Sequence, residues 1–325
     1  MPLLEVQNVN KQLSGGLEIK NITFGQEQLQ KIAIAGVSGA GKTTLLKIIA
    51  GLVQADSGSI LFDGEKVIGP LDKLMPGHQK IAYLSQHYEL QNNYRVEELI
   101  WFENKLTIED ASTIFEICRI SHLLQRRTDQ LSGGEKQRIA LCRLLVKSPK
   151  MLVLDEPFSN LDPIHTNTLK KVLDDVTERL QITCLLTSHD PNDSLPWADE
   201  ILVLKDGQIV QQGSPEEIYY QPEDEYVAGM FGNYSIIKHE FVELFLNTNG
   251  LAVKGKSMVV RPEHFIITTS AGVKGTVTKT TFRGGYYDVE IIVEALTIVC
   301  REKQRNWKKG DEVTIKIEQG KEWFL

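Results

Sequence analysis

A glycine-rich loop near the start of the chain constrains its fold more than any other feature. Residues 36–43 read GVSGAGKT, which fits the pattern G-x-x-x-x-G-K-[ST]. A short apolar run, Lys31–Ile34, precedes the loop, and residues 43–52 (TTLLKIIAGL) carry apolar side chains at helical spacing. A strand, a glycine loop and a helix in this order predict a phosphate-binding loop. A glycine turn before an ordinary buried helix is the alternative interpretation, and the motifs further along the chain argue against it.

The residues of this loop predict two kinds of contact with a nucleotide. Gly36, Gly39 and Gly41 let the backbone approach phosphates with its N–H groups pointing inward, and the positive end of the next helix adds to that attraction. We expect Lys42 to bridge the β- and γ-phosphates and the hydroxyl of Thr43 to bind Mg²⁺. The other loop residues expected to bind the nucleotide are Ser38, Ala40 and Thr44.

Two further apolar runs predict the other half of the site. Met151–Asp155 (MLVLD) is uninterrupted and ends in a carboxylate, as in the buried centre of a parallel sheet. Asp155 would emerge where such sheets bind ligands and is expected to hold Mg²⁺, while Glu156 could accept a proton from the attacking water or orient it. A solvated acidic pair that starts a loop is the alternative. The second run, Ile182–Thr187, is followed by His189, whose imidazole could donate to a γ-phosphate oxygen.

A further motif identifies the family that the chain resembles. Residues 131–137 read LSGGEKQ, directly before an apolar-patterned stretch at 139–146. This is the signature of ATP-binding-cassette (ABC) ATPases, and residues 1–232 closely resemble that family. The resemblance implies an α/β fold, a P-loop NTPase of the ABC type, with a RecA-like core, a helical subdomain at about 87–130 and an antiparallel β subdomain.

The resemblance also implies a mechanism that needs two copies of the chain. In the family, two domains dimerise head to tail, and each ATP lies between the phosphate loop of one and the signature of the other. Ser132, Gly133 and Gly134 would then contact the γ-phosphate of the partner's ATP, which suits the N–H groups and hydroxyl of a helix N-terminus. Gln137, in the same motif, belongs with the implied nucleotide-binding residues.

Three other positions match motifs of the family. Gln86, in AYLSQ after the strand Ile81–Leu84, matches the glutamine loop, which meets Mg²⁺ and the attacking water. Asp162 ends SNLD, which matches the loop that communicates across the dimer, and it belongs with the implied nucleotide-binding residues. His189 matches the switch histidine. The resemblance thus implies ATP and Mg²⁺ as ligands, catalytic roles for Lys42, Gln86, Glu156 and His189, and metal-binding roles for Thr43, Gln86 and Asp155.

One position departs from the family pattern. Cassette ATPases usually place an aromatic residue near position 13 to stack on adenine, and here the segment 10–15 (NKQLSG) puts Leu13 there. Leucine can cover the base by apolar contact but has no π-face. We therefore expect weak discrimination between ATP and GTP.

Composition argues against several classes of protein. The hydrophobic fraction of 42% and the charged fraction of 24% are ordinary for a globular protein, and no apolar run approaches the roughly 18 residues of a membrane span. The first residues, MPLLEVQNVN, show no signal segment, so we expect a cytosolic protein. A net charge of −7 argues against a nucleic-acid partner, and the four cysteines have neither metal-binding nor disulfide spacing.

Local signals predict some of the connections between elements. Thr107 with Asp110 is typical of a helix start, and Asp206-Gly207 is typical of a hairpin turn. The helices of 87–130 are expected to pack on the core, and the resemblance to the family implies that they receive a helix of a membrane permease; both can hold. The stretch Pro222–Gly232 is expected to be a connector.

The last part of the chain, 233–325, is expected to form strands only, with a turn at Gly284-Gly285. These strands are expected to fold into the small all-β barrel of an OB fold. The segments VVRPEH at 259–264 and Gly275–Val277 resemble the transport-associated OB (TOBE) domain of importer ATPases. Two roles stay open: a scaffold that stabilises the dimer, and, because the tail is mildly basic, a sensor of an oxyanion such as molybdate or sulfate. The predicted strands are Ser257–Arg261, Gly275–Phe282, Tyr286–Val293, Leu296–Cys300 and Val313–Ile317.

These residues and the resemblance together predict the ATP-binding and ATP-hydrolysing subunit of an ABC importer. The resemblance implies a homodimer, separate transmembrane permease subunits, an extracytoplasmic solute-binding protein that acts indirectly, and a peripheral position at the cytoplasmic face of the cell membrane. The alternatives are an exporter ATPase and a soluble cassette ATPase that acts on nucleic acid or ribosomes. The soluble class usually needs two cassettes, coiled-coil inserts or zinc-binding cysteines, which this sequence lacks. The cargo stays open among iron(III), sulfate, molybdate, polyamines and sugars.

Overall fold

Two compact units make up the structure, a computed structural model that describes residues 2–13, 16, 18–87, 90–246, 255–268 and 272–325. Met1–Pro215 form the first unit and Glu216–Leu325 form the second. The division of function between 1–232 and 233–325 stays a prediction. Among the helices within the described ranges, none has both the length and the apolar character that crossing a bilayer requires.

The first unit combines a central sheet with helices and a smaller second sheet. Its strands are β1 (Leu4–Gln12), β2 (Glu18–Gln26), β3 (Lys31–Ala35), β4 (Ser57–Phe62), β5 (Glu65–Lys66), β6 (Ile81–Leu84), β7 (Met151–Leu154), β8 (Thr183–Ser188), β9 (Glu200–Lys205) and β10 (Gln208–Gly213). Its helices are α1 (Lys42–Ile49), α2 (Val96–Trp101), α3 (Ile108–Ile117), α4 (Gly133–Leu145), α5 (Pro163–Leu180) and α6 (Pro191–Ser194), with 3₁₀ turns at Ser121–Leu123 and Thr128–Gln130.

The central sheet brings the motifs to one edge. Its strand order is β10-β9-β3-β8-β7-β6, and all of these strands except β10 run parallel. β7 and β8 are buried along their whole length, because a central parallel strand is covered on both faces. The glycine loop, Gln86, Asp155 and His189 each follow the carboxyl end of one parallel strand, where such sheets bind ligands. The predicted α/β class is confirmed.

The smaller sheet and the helical region also agree with the prediction. β2, β1, β4 and β5 form an antiparallel sheet in that order, and its inward side chains share one core with β3 and α1. Thr107 caps α3 by accepting the N–H of Asp110 at 3.2 Å. Asp206 and Gly207 form the turn between β9 and β10, both with positive φ. Residues 88 and 89 of the predicted helical region lie outside the described residues.

The second unit is built mainly from antiparallel strands. Its elements are the strands β11 (Ser235–Ile237), β12 (Met258–Val260), β13 (Phe265–Thr268), β14 (Val273–Phe282), β15 (Tyr287–Val293), β16 (Leu296–Glu302), β17 (Glu312–Ile317) and β18 (Trp323–Phe324), and the helices α7 (Pro215–Tyr220), α8 (Glu225–Met230) and α9 (His239–Phe245). β13, β17, β14, β15 and β16 form one sheet in that order, and β11, β12 and β18 form another. The edge strands β13 and β16 approach each other, so the larger sheet curls around a buried core. All five predicted strands and the turn at Gly284-Gly285 are present.

Two expectations for this part of the chain are wrong. The stretch expected to be a connector contains α8, which begins where Asp224 accepts the N–H of Val227 at 2.8 Å and which buries Val227 completely. The stretch expected to hold strands only contains α9, because Phe241, Val242 and Phe245 lie at helical spacing and pack on the core of the unit.

Candidate nucleotide-binding site

The loop after β3 has a backbone that requires glycine at three points. A side chain on Gly36 would place its Cβ 2.6 Å from the carbonyl oxygen of Leu204, which is closer than packed atoms approach. Gly39 and Gly41 have φ angles of 85° and 103°, in the left-handed region that other residues avoid. Gly41 is also the N-cap of α1, so the loop leads directly into the positive end of that helix.

Lys42 is buried against this loop. Its side chain is 5% exposed, and Nζ donates to the carbonyl oxygens of Gly36 at 2.7 Å and Val37 at 3.2 Å. Nζ also lies 3.3 Å from Oε1 of Glu156. The ammonium group is therefore fixed at the loop, where its charge suits the binding of phosphate oxygens.

Asp155 is a buried carboxylate beside Thr43. It is 2% exposed, and its Oδ1 accepts the Thr43 hydroxyl at 3.0 Å. Oxygen ligands of this kind suit Mg²⁺. The part of the chain that the structure describes holds no group of three or more His, Cys, Asp or Glu that could bind a metal ion. Thr43 and Asp155 supply a hydroxyl and a carboxylate oxygen side by side, and an ion held there would take its other ligands from phosphates and water.

Glu156 is the point at which the other motifs meet. Its side chain is 14% exposed. Oε2 accepts from Nε2 of Gln86 at 3.4 Å and lies 3.2 Å from Nδ1 of His189, while Oε1 faces Lys42. The backbone of Glu156 has a φ of 46°, a left-handed conformation that costs a residue with a side chain about 1–2 kcal/mol. Three polar neighbours thus hold a carboxylate that is suited to orient and deprotonate a water molecule.

Two clefts are lined by these residues. The first has a volume of 280 Å³ and is bounded by the phosphate loop, Gln86 and Glu156. The second has a volume of 390 Å³, shares Gln86 and Glu156 with the first, and includes His189. The structure therefore brings together the residues predicted to bind phosphate and to catalyse. The first cleft is lined by Ser38, Gly39, Gly41, Lys42, Thr43, Thr44, Gln86 and Glu156.

The signature motif forms the start of α4. Ser132 caps this helix, because its Oγ accepts the N–H of Glu135 at 3.3 Å, while the N–H of Ser132 donates to the Glu135 carboxylate at 2.8 Å. Ser132 and Gly133 are exposed. A Cβ on Gly134 would lie 2.3 Å from the ring of His165. The first turn of α5 therefore packs so closely against α4 that only glycine fits at this position. The signature residues do not line either cleft at the phosphate loop.

Asp162 and Gln137 make contacts within the chain. Oδ1 of Asp162 caps α5 by accepting the N–H groups of Ile164 and His165 at 2.9 and 3.0 Å. The backbone and the ring of His165 hold the pKa of Asp162 below its ordinary value. Gln137 is buried and donates through Nε2 to the carbonyl oxygen of Pro157. Neither Asp162 nor Gln137 lines the two clefts.

Three remaining candidates lie near the loop or before it. Leu13 follows β1 and is half-buried, while residues 14 and 15 of the same segment lie outside the described residues. Ala40 is buried, and its N–H donates to the carbonyl oxygen of Val37 at 3.2 Å. This N–H is therefore used in a hydrogen bond within the loop. Thr44 lines the first cleft.

Two hydroxyl groups at the site were not among the predicted site residues. Tyr83 of β6 donates to Oδ2 of Asp155 at 2.9 Å, and Thr187 of β8 donates to Oδ1 at 3.0 Å. Burial and the neighbouring carboxylate raise the pKa of Tyr83 well above its ordinary value, so the hydroxyl stays a donor. Because β6 and β8 flank β7, only the strand order reveals these contacts, and sequence patterns miss them.

Known proteins match both units of the chain. The ABC transporter family matches residues 19–159, and the TOBE domain family matches residues 258–325. The spermidine/putrescine import ATP-binding protein PotA of Mycoplasma mycoides subsp. mycoides SC is 33% identical over an alignment of 331 positions, which covers 94% of this chain and 90% of that protein.

Two further similarities agree. The sulfate/thiosulfate import ATP-binding protein CysA of Neisseria meningitidis serogroup B is 36% identical over 264 positions, which cover 77% of this chain and 72% of that protein. Among solved structures, cbiO1 from Clostridium perfringens, described as part of the ABC transporter complex cbiONQ, has 29% identity and a TM-score of 0.59, covering 67% of this chain and 90% of its own.

Proposed function

The chain belongs to the ATP-binding subunits of ABC importers, and we propose that two copies of it bind two Mg²⁺·ATP between them and drive a separate membrane permease. As an ABC ATPase, it hydrolyses ATP. One observation supports the site assignment above all others: Glu156 contacts Lys42, Gln86 and His189, so four motifs converge on one carboxylate. In this proposal, residues 1–232 are the nucleotide-binding domain and 233–325 are the TOBE domain.

The phosphates of ATP occupy the loop in the proposed reaction. Lys42 exchanges its contact with Glu156 for the β- and γ-phosphates, while the N–H groups of the loop hold the other phosphate oxygens. Thr43 and Asp155 would hold Mg²⁺, which neutralises charge on the phosphates when it is bound. The loop therefore fixes the γ-phosphate beside Glu156.

Glu156 then orients the attacking water and accepts its proton. Gln86 lies beside the water and the metal site, and His189 donates to a γ-phosphate oxygen. Both side chains already contact the Glu156 carboxylate, so they hold it in one position before the nucleotide binds.

The exposed start of α4 supports the head-to-tail dimer. Ser132 and Gly133 are exposed, and α4 is 13 residues long, so its positive end is an anion site that ATP of the same chain does not fill. We assign this site to the γ-phosphate bound by a second copy. The contact of Gly134 with His165, which is bonded to Asp162, would join the signature to the loop that communicates across the dimer.

Exposed apolar side chains in the helical region support a permease partner. Trp101, Phe102 and Ile108 are 41%, 91% and 73% exposed, and side chains of this size are often exposed where a partner covers them. The ATPase would then lie at the cytoplasmic face of the membrane, with the solute-binding protein acting through the permease. The cargo is not assigned, because PotA and CysA serve the import of different solutes.

Reconstitution tests this function. Expressed with a candidate ABC permease, the chain should co-purify with that permease, and ligand-loaded solute-binding protein should stimulate ATP hydrolysis in proteoliposomes. Glu156→Gln should still bind ATP but should lower kcat more than about 100-fold, because the water loses its proton acceptor. Glu178→Gln, at an exposed position of α5, is the matched control and should not change turnover. Stable association with ribosomes instead of a membrane protein would overturn the proposal.

A further inference from the structure

The buried carboxylate of Asp155 has three hydroxyl neighbours. Thr43 and Thr187 both donate to Oδ1, each at 3.0 Å, and Tyr83 donates to Oδ2 at 2.9 Å. Asp155 is 2% exposed, so water contributes little to its orientation. Both carboxylate oxygens are therefore held by side chains, and only one of the three, Thr43, is a site residue predicted from the sequence.

Thr187 is distinguished by a second hydrogen bond. Its Oγ1 accepts the backbone N–H of Glu156 at 2.9 Å while its single proton is donated to Asp155. One hydroxyl thus joins the side chain of Asp155 to the backbone of Glu156. The Glu156 backbone is the one with the left-handed φ of 46°, a conformation that persists only where neighbouring groups hold it.

We propose that Thr187 is a positioning residue for ATP hydrolysis: its hydroxyl fixes the Asp155 carboxylate for the metal ion and the Glu156 backbone for the attacking water, while Tyr83 fixes the second oxygen of Asp155. The inference rests on the proposed roles of Asp155 and Glu156. It assigns to Thr187 a link between the metal site and the catalytic carboxylate, and to Tyr83 an effect on the metal site alone.

The two roles predict different effects for two conservative variants. Thr187→Val keeps the shape of the side chain but removes both hydrogen bonds, so the half-saturating Mg²⁺ concentration should rise and kcat at saturating Mg²⁺ should fall, each by about tenfold. Tyr83→Phe should raise the Mg²⁺ requirement by a similar factor and leave kcat at saturating Mg²⁺ within about threefold. Thr187→Ser retains the hydroxyl and should stay within about threefold of wild type in both measurements.

Metal binding without turnover provides an independent readout. Titration of Mn²⁺ into the full-length chain with a non-hydrolysable ATP analogue, followed by electron paramagnetic resonance, should show weaker Mn²⁺ binding in Thr187→Val and Tyr83→Phe but not in Thr187→Ser. Thr183→Val is the matched control. Thr183 is a buried threonine on the same strand, and its hydroxyl accepts the N–H of Leu29 at 3.0 Å, so this variant should lower the melting temperature without changing Mn²⁺ affinity or kcat.

The outcomes separate this inference from the proposed function. If Glu156→Gln and Lys42→Ala lose hydrolysis as expected but Thr187→Val retains normal kcat and Mn²⁺ affinity, the positioning role is wrong and the proposed site stands. If Thr183→Val reproduces the losses of Thr187→Val, the effect is general destabilisation and the inference also fails. Should Thr187→Val not fold, Thr187→Cys, whose thiol is a weak donor, provides the same contrast with Thr187→Ser.

Discussion

Lys42 and Glu156 form an ion pair at the phosphate loop, with Nζ of the lysine 3.3 Å from Oε1 of the glutamate. Both side chains are largely shielded from solvent, and Lys42 also donates to two carbonyl oxygens of the loop. The residue proposed to bind phosphate and the residue proposed to activate water therefore neutralise each other before ATP arrives. In the proposed reaction, a bound γ-phosphate would compete for Lys42 and leave the Glu156 carboxylate to the attacking water.

Lys42→Ala should weaken ATP binding, because the phosphates lose their charged donor at the loop. Losing one hydrogen bond to a charged group should raise the Kd for ATP by about 10- to 100-fold. Isothermal titration with Mg²⁺·ATP measures the change. Lys47→Ala is the matched control, since Lys47 lies in the last turn of the same helix; an equal loss of affinity in both variants would show that general charge, not the loop contact, binds the phosphates.

Leu13 should give the site little preference between purine bases. Competition of ATP and GTP for a bound fluorescent nucleotide should yield dissociation constants within about tenfold of each other, because leucine contacts a base without stacking on it. Leu13→Tyr should increase the preference for ATP. A hundredfold preference for ATP in the wild-type chain would contradict this expectation.

Arg261 holds the helical start of the second unit to its strands. The side chain is 2% exposed. Its guanidinium donates twice to the carbonyl oxygen of Tyr219, at 2.8 and 2.9 Å, and to those of Ala228, Gly232 and Asn233 at 2.9 to 3.2 Å. It also stacks on the Tyr219 ring at 4.1 Å.

Arg261→Met should therefore destabilise the second unit by about 3 kcal/mol, because several buried carbonyl groups lose their donor at once. Arg261→Lys should recover little of this loss, because an ammonium cannot reproduce the planar fork. Thermal unfolding followed by circular dichroism measures the stability of both variants. Arg305→Met, at an exposed position of the same unit, is the control, and equal melting temperatures for Arg261→Met and Arg305→Met would refute the assigned role.

His264 should make stability depend on pH. Burial lowers the pKa of this ring below its ordinary value of 6.5, Lys321 and Arg261 add to the lowering, and Glu263 and Glu318 oppose it. The unfolded chain accepts a proton at the ordinary pKa, so below about pH 6.5 it binds more protons than the folded chain does, and the free energy of unfolding falls as the pH drops through that value.

His264→Gln removes this titration and should flatten the dependence of the free energy of unfolding on pH between about pH 7 and pH 5. Urea unfolding at several pH values measures the slope. His239→Gln replaces an exposed histidine of the same unit and should leave the wild-type slope unchanged. An identical slope in His264→Gln and wild type would contradict the burial argument.

The nucleotide site was predictable because its motifs are local and its strands are parallel. The run Met151–Asp155 predicts both a buried strand and the carboxylate at its end. The spacing of the glycines predicts the backbone conformation of the phosphate-binding loop. Once these strands share a sheet, their carboxyl ends meet at one edge, so the proximity of Lys42, Asp155 and Glu156 follows without further information.

Other contacts depend on pairing between distant segments, which leaves no local pattern. Tyr83 and Thr187 reach Asp155 only because β6 and β8 flank β7. Arg261 appears in the sequence as part of a family-like segment, but its partners lie about thirty to forty residues earlier in the chain. α9 could not be predicted from the sequence, because its seven residues are also compatible with a strand. Packing of Phe241 and Phe245 on the core of the unit stabilises the helix.

Dimerisation on ATP binding tests the central claim most directly. Glu156→Gln should bind ATP without hydrolysing it, so sedimentation velocity with saturating Mg²⁺·ATP should show a species of twice the monomer mass, and the same protein with ADP should remain monomeric. Ser132→Arg in the Glu156→Gln background should prevent the association, because a bulky side chain would fill the exposed start of α4. A Glu156→Gln protein that binds ATP yet stays monomeric at every nucleotide concentration would contradict the account.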